Sequence, residues 1–236
     1  MEAETSPGPV PCVAVVAGGP GAAPRPAPAL APGTIVVAAD SGVDVALAAG
    51  YPVHVAVGDF DSVTPAGLAA AVAAGARVER HPRDKDATDL ELALDVALGF
   101  APERVVVVGT TGGRLDHELS VLQLLAGPRL AEVDVLAHLG PAVVAVVRPE
   151  RPQAWTAVVG ELVSLLSIHG DATGVTTAGL RWSLDDDDLA AGTTRGCSNE
   201  VASSRVRVSC TGGVLLVVCP GPSADPHRHD PERSPR

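Results

Sequence analysis

The sequence is poor in aromatic residues, at 2% of 236. Its core must therefore be built from Val, Leu and Ala. Lysine is scarcer still: Lys85 is the only one, and every other Lys/Arg position is Arg. No apolar run approaches bilayer-spanning length, and the acidic, Pro-rich N-terminus shows no signal-peptide pattern. The four cysteines, Cys12, Cys197, Cys210 and Cys219, have no CxxC or zinc-ligand spacing. They read as reduced packing residues of a cytoplasmic protein. There is no Gly-Lys-Ser/Thr and no GxGxxG, so neither a P-loop kinase nor a typical dinucleotide binder is expected. Positive charge is short as well. A formal net charge of −11 argues against nucleic acid or an anionic membrane as the main partner. It leaves a nucleotide open, because a divalent metal can bridge carboxylates to phosphates.

What the chain does contain is 46% hydrophobic and 19% charged residues, a globular balance. Its length allows one large domain or two modest ones. Residues 1–10 read as disordered. Short apolar runs at 12–17, 35–39, 53–57, 77–80, 105–108, 133–137 and 143–147 read as strands. Helical stretches begin near Val43, Thr64, Leu90 and Leu115, and a Pro/Ala/Gly-rich loop fills residues 20–33. This alternation predicts a parallel sheet covered on both faces. After about residue 150 the pattern changes to strands separated by Gly and polar turns, with no convincing helix. The fold class is thus α/β: a parallel-sheet domain over 11–148, a small all-β sandwich over 149–219, and a disordered tail over 220–236.

Polar motifs sit just after the apolar runs, where open α/β sheets bind ligands. Asp40 ends one run. Gly58-Asp59-Phe60-Asp61-Ser62 ends another, with two carboxylates at i, i+2 that suit Mg²⁺. Alone, a solvated turn explains such a pair equally well, but the scarce Phe60 between them would anchor the loop and tips the reading towards function. His81 to Asp89 holds the lone Lys85 among Asp84, Asp86 and Asp89, and Thr88 or Asp86 could cap the following helix. Gly112-Gly113 offers backbone N–H groups at a helix start, and Arg114 a bidentate phosphate donor. Asp116 could merely favour the helix dipole, and a lone His117 is by default a packed or capping residue. Asp185 to Asp188 reads as a solvated turn without a catalytic role. From composition alone, Trp182 reads as core.

Taken in order, these pieces resemble the thiamine pyrophosphokinase family. The resemblance rests on Asp40-Ser41-Gly42, Gly58 to Ser62, Lys85-Asp86-Ala87-Thr88-Asp89-Leu90-Glu91, Gly109 with Gly112 to His117, Gly179 to Leu184, and Ser198-Asn199-Glu200. It covers roughly residues 12–219. It implies an α/β nucleotide domain joined to a β-sandwich, in a homodimer with thiamine sites between subunits. It implies pyrophosphoryl transfer from ATP to the thiamine hydroxyl with Mg²⁺, releasing AMP. Carried over by position, Asp59, Asp61, Asp86, Asp89, Arg114 and Asp116 are the catalytic set, with Asp59, Asp61 and Asp89 on the metal. Asp40, Ser62, Lys85, Thr88, Gly112, Gly113, Arg114 and His117 fall on the ATP side. Trp182, Ser198 and Asn199 fall on the thiamine side, which reverses the core expectation for Trp182. The proton acceptor is either Asp89 or Asp116. A pyrophosphokinase for another alcohol, such as a hydroxymethylpterin, and a non-catalytic nucleotide- or thiamine-binding protein are the competing readings. The 20–33 insert has no counterpart in the resemblance.

Overall fold

The computed structural model describes residues 11–221 apart from 20, 22 and 25. The expectations for residues 1–10 and for the tail beyond 221 lie outside the described residues. Five parallel strands open the sheet: β1 (Cys12–Ala17), β2 (Ile35–Ala39), β3 (Val55–Gly58), β4 (Arg77–Arg80) and β5 (Arg104–Gly109). Val and Ala dominate β1, β2, β3 and β5, which have both faces covered. Four helices connect this half: α1 (Gly42–Ala48), α2 (Pro65–Ala73), α3 (Asp89–Leu98) and α4 (Leu115–Ala126). Thr64 caps α2 by accepting from Gly67 N, with Pro65 at the first helical position. Helix α3 packs on one face through Leu90, Ala93, Leu94 and Ala97, together with Leu125 and Ala126 of α4. Helices α1 and α2 cover the opposite face through Val43, Ala46 and Ala71.

With β6 (Asp134–Leu139) included, the strand order around β1 is β6-β5-β1-β2-β3-β4. The chain thus runs outward from β1 to β4, then returns to β5 on the other side. That reversal opens a crevice between the loops that follow β1 and β5, the place where such sheets take ligands.

Beyond β5 the structure departs from an all-parallel sheet. Strand β6 (Asp134–Leu139) pairs parallel to β5, but β7 (Ala142–Val147) runs antiparallel to β6. Only Gly140 and Pro141 join them, too short a link for a parallel crossover. The β region is not a free-standing sandwich either. Strands β9 (Leu162–Ser167), β12 (Asn199–Glu200) and β14 (Leu215–Cys219) continue the large sheet past β7, giving ten strands. Four others, β8 (Gln153–Thr156), β10 (Ala172–Ala178), β11 (Asp187–Leu189) and β13 (Arg205–Ser209), form a second, antiparallel sheet. The sandwich core lies between the two: Val147, Val163, Leu165, Leu215 and Val217 from the large sheet meet Val175, Leu189, Val206 and Val208. The Asp185 to Asp188 run is therefore only partly a turn, since Asp187 and Asp188 belong to β11. Cys197 is exposed, so the packing role expected of all four cysteines fails there.

Arg148 ties the end of β7 to the end of α4. Its guanidinium donates to Ala126 O at 2.7 Å and Gly127 O at 2.9 Å, satisfying carbonyls at the end of α4. Arg148→Ala should lower stability by about 1–3 kcal/mol, or roughly 3–8 °C in Tm. Thermal unfolding checks this, and an unchanged Tm would refute the tie.

Candidate active site

The loops after β1, β2, β3 and β5 meet at the C-terminal edge of the sheet. Close glycine contacts bring them together. A Cβ at Gly18 would collide with Ser41, one at Gly42 with Val16 O, and one at Gly21 with Thr111 O. Only backbone without side chains lets three strand ends approach this closely. The Gly18-Gly19 turn after β1 lies beside Ser41 and Thr110, which puts it on the crevice.

Asp40 and Phe60 adopt left-handed backbone, with φ of 46° and 63°. Such strain in non-glycine residues persists where the surroundings enforce it, and it clusters at functional sites. Here it turns Asp40 towards the loop after β3. One ligand oxygen each from Asp40, Asp59 and Asp61 lies within 4.8 Å of the others. Asp40 is 9% exposed. Its Oδ2 accepts from Ser62 Oγ, while its Oδ1 is buried with no hydrogen-bond partner. Asp59 Oδ1 accepts from Asp61 N at 3.0 Å. That backbone bond, with the Lys85 ammonium second, holds the Asp59 carboxyl below its ordinary value despite some burial. Three convergent carboxylates, one with an orphaned buried oxygen, could hold a cation. Their all-oxygen donor set fits Mg²⁺.

Lys85 stands between two acids. Its Nζ is 3.3 Å from Asp59 Oδ2 and 3.1 Å from Asp89 Oδ1, and it donates to Pro82 O at 3.1 Å. The side chain is only 14% exposed. Burial by itself would lower the ammonium, but the neighbouring Asp89 and Asp59 carboxylates outweigh it and raise it. Asp89 opens α3 and packs beside Gly58, whose Cβ position would fall 3.0 Å from Asp89 Oδ1. Its Oδ1 pairs with Lys85 by charge, without a well-formed hydrogen bond. Thr88 is the cap of α3, accepting from Glu91 N at 3.3 Å. Asp86, the other capping candidate, is exposed and has no hydrogen bond or ion pair among the described residues. Arg83, passed over in the sequence, pairs with Asp61 at 3.1 Å, and Arg80 lies over the Phe60 ring at 4.9 Å.

At the loop after β5, Gly112 has φ of 87°, open to glycine and strained for other residues. Arg114 precedes α4 and grips Asp116 with two bonds, Nε at 3.1 Å and Nη2 at 2.5 Å. These bonds hold the Asp116 carboxyl down at about 2. His117 is exposed, which removes the packed-core option for it.

In the β region, Trp182 is 56% exposed, so it is not core. Asn199 is buried and spends its amide on the Trp182 backbone: Nδ2 donates to Trp182 O at 2.7 Å, and Oδ1 accepts from Trp182 N at 3.1 Å. These bonds fix the Trp182 backbone against Asn199. Ser198 is left-handed, with φ of 57°, and its backbone N donates to Ser164 Oγ. Arg181 lies 5.0 Å from the Trp182 ring centre.

Comparison with known proteins falls on the same two regions. A family profile described as "Thiamin pyrophosphokinase, catalytic domain" matches residues 29–136. A second, "Thiamin pyrophosphokinase, vitamin B1 binding domain", matches residues 148–215. The chain belongs to the thiamin pyrophosphokinase family. The thiamine pyrophosphokinase of Bacillus subtilis is 29% identical over 193 residues, which cover 78% of this chain and 86% of that protein. Thiamine pyrophosphokinase 3 of Oryza sativa is 29% identical over 178 residues, covering 71% of this chain and 65% of that protein. Among solved structures, the Bacillus subtilis thiamine pyrophosphokinase superposes with a TM-score of 0.78 at 27% identity, covering 90% of this chain and all (100%) of that one. The enzyme from Geobacillus thermodenitrificans gives 0.72 at 25%, covering 90% of this chain and 99% of that one. The family's catalytic profile spans every acidic residue assembled above, and its vitamin B1 profile spans Trp182, Ser198 and Asn199.

Proposed function

We propose that this chain is a thiamine diphosphokinase, transferring the pyrophosphoryl group of ATP to the hydroxyl of thiamine to give thiamine diphosphate and AMP. The observation that carries this is the Asp40, Asp59 and Asp61 cluster, set at the C-terminal strand edge inside the family's catalytic region. Residues 11–148 serve as the ATP and metal region, and 149–219 as the thiamine and dimer region.

Asp40, Asp59 and Asp61 would hold Mg²⁺, with Asp89 close behind. Bound there, the metal would offset charge on the phosphate oxygens. Attack of the thiamine hydroxyl oxygen at the β-phosphorus forms a new O–P bond. The bond from the β-phosphorus to the α,β-bridging oxygen breaks, and AMP leaves with that oxygen. Positioning and electrostatics carry most of the rate in such transfers. Arg114 and the Gly112-Gly113 N–H groups face the phosphates. Lys85 supplies a further point charge, and Ser62 steadies Asp40. Of the two candidate proton acceptors, Asp89 is the better placed: it stands beside Lys85 and the Asp59 cluster, whereas Asp116 is bound up in its two hydrogen bonds with Arg114.

Trp182 offers an exposed face for the cationic thiazolium ring. Trp182→Ala should raise the KM for thiamine roughly tenfold while kcat falls less. Equal KM values would remove the indole from the substrate site. Exposed Leu115, Leu119, Val158 and Val159 leave apolar surface that supports a homodimer. No helix among the described residues is long and apolar enough to cross a membrane, and a cytoplasmic location fits the free cysteines.

The deciding experiment measures AMP released from ATP and Mg²⁺ with thiamine, with a hydroxymethylpterin, and with neither. Thiamine-dependent AMP matched by thiamine diphosphate supports the proposal. AMP only with the pterin keeps the site and changes the substrate. No AMP with either acceptor favours a binding protein.

A further inference from the structure

The backbone donors of the Gly112-Gly113 turn are already taken by this chain's own carboxylate. Glu118 Oε1 accepts from Gly112 N at 2.7 Å and from Gly113 N at 3.0 Å. Glu118 lies on the first turns of α4 and reaches back over the helix start. Two successive N–H groups converging on one oxygen form an anion-binding concavity. The neighbouring phosphate donor is masked in the same way, with the Arg114 fork closed on Asp116.

We infer that Glu118 is a positioning residue for the phosphate turn. It acts as a displaceable internal anion, holding the two N–H groups in their binding arrangement until a phosphate takes its place. This rests on the assignment of the Gly112-Gly113 turn to the ATP phosphates. Glu118 keeps the turn formed, so Gly112 does not have to be ordered when nucleotide arrives. It also competes for the same donors, so nucleotide affinity is lowered by the strength of the internal bonds. A carboxylate on an exposed N–H pair is a modest competitor, because water replaces it readily.

The test is calorimetric titration of the full chain with inorganic pyrophosphate, and separately with ATP, in the presence of Mg²⁺ and without thiamine. Wild type, Glu118→Gln and Glu118→Ala are compared. Titrations run at about 0.5 M salt, where a mere change in net charge is screened. The Gln variant decides the matter, because its amide oxygen can still accept both N–H bonds and support the turn without the charge. Glu118→Gln should bind pyrophosphate roughly threefold to tenfold tighter than wild type. The KM for ATP should fall by a similar factor, with a smaller change in kcat. Glu118→Ala, which removes the competing charge and the support of the turn together, should gain less pyrophosphate affinity than Glu118→Gln. Equal or weaker pyrophosphate binding by Glu118→Gln, with wild type binding normally, overturns the inference alone. Failure of wild type and both variants to bind pyrophosphate or ATP overturns the phosphate assignment and the inference with it.

Discussion

Asp61→Asn should cut thiamine-dependent AMP formation at least about a hundredfold while leaving the fold intact. The fold is spared because Asp61 is 44% exposed in its side chain and pairs only with the still more exposed Arg83. Exposed pairs of this kind contribute at most about 1 kcal/mol. Activity suffers because Asn keeps the shape of the residue but removes one of the three negative charges gathered within 4.8 Å. A neutral amide oxygen is a weaker ligand for a hard divalent cation. The loss should therefore shrink as Mg²⁺ is raised, and the Mg²⁺ concentration for half-maximal rate should move upward. Arg83, freed from its partner, would add positive charge there, but a guanidinium, which only donates hydrogen bonds, does not take the place of a divalent cation held by carboxylates. A folded Asp61→Asn protein with full activity and an unchanged Mg²⁺ dependence would remove Asp61 from the metal site.

The parts of the site that were legible in the sequence are those carried by local chemistry. Strands β1 and β2 are short Val/Ala runs that end at Gly or Asp, so their bounds can be read from composition. The motifs after β2, β3 and β5 stand out because each breaks such a run with polar residues. Thr88 and Thr64 are capping residues by type and place. Other features depend on pairing between distant segments. Nothing local says that β9 and β14 extend the large sheet instead of closing their own, because the Val and Leu that face its neighbours suit either sheet. The β6–β7 hairpin did carry a signal. Gly140-Pro141 between two apolar runs is a turn dipeptide too short for a crossover. That Asp40 also comes within reach of Asp59 and Asp61 is not legible locally, because the left-handed backbone that brings it there is a tertiary effect. Glu118 was not singled out at all. On a first helical turn it looks like a charge favouring the dipole, and its hold on Gly112 and Gly113 is visible only in three dimensions.

Lys85→Met should both weaken the fold and stop turnover, and the two losses should respond differently to Mg²⁺. The ammonium lies between Asp59 and Asp89 and is mostly occluded from water. Removing it leaves Asp59 and Asp89 beside Asp40 and Asp61 with only the exposed Arg83 as nearby counter-charge, at a cost of about 1–3 kcal/mol. The pH window follows from the directions of the shifts. Asp59 is lowered in the folded state, so its contribution is present above the ordinary carboxylate value of 3.8 and is lost as pH falls through the lower folded value. Lys85 is raised, so its contribution is fully present below its ordinary value of 10.5 and is lost only as pH rises through the higher folded value. Between these limits the stabilities of the two proteins, measured by denaturant unfolding without metal, should differ. As pH drops below 3.8 and the acids protonate, the curves should converge. Added Mg²⁺ should also narrow the gap near neutral pH, because a cation held by Asp40, Asp59 and Asp61 relieves the same repulsion. It should not restore AMP formation, since the metal cannot also supply the point charge that Lys85 presents to the phosphates. A stability deficit that ignores both pH and Mg²⁺ would mean that Lys85 acts only through packing of its stem. Full activity in the variant would take it out of the nucleotide site.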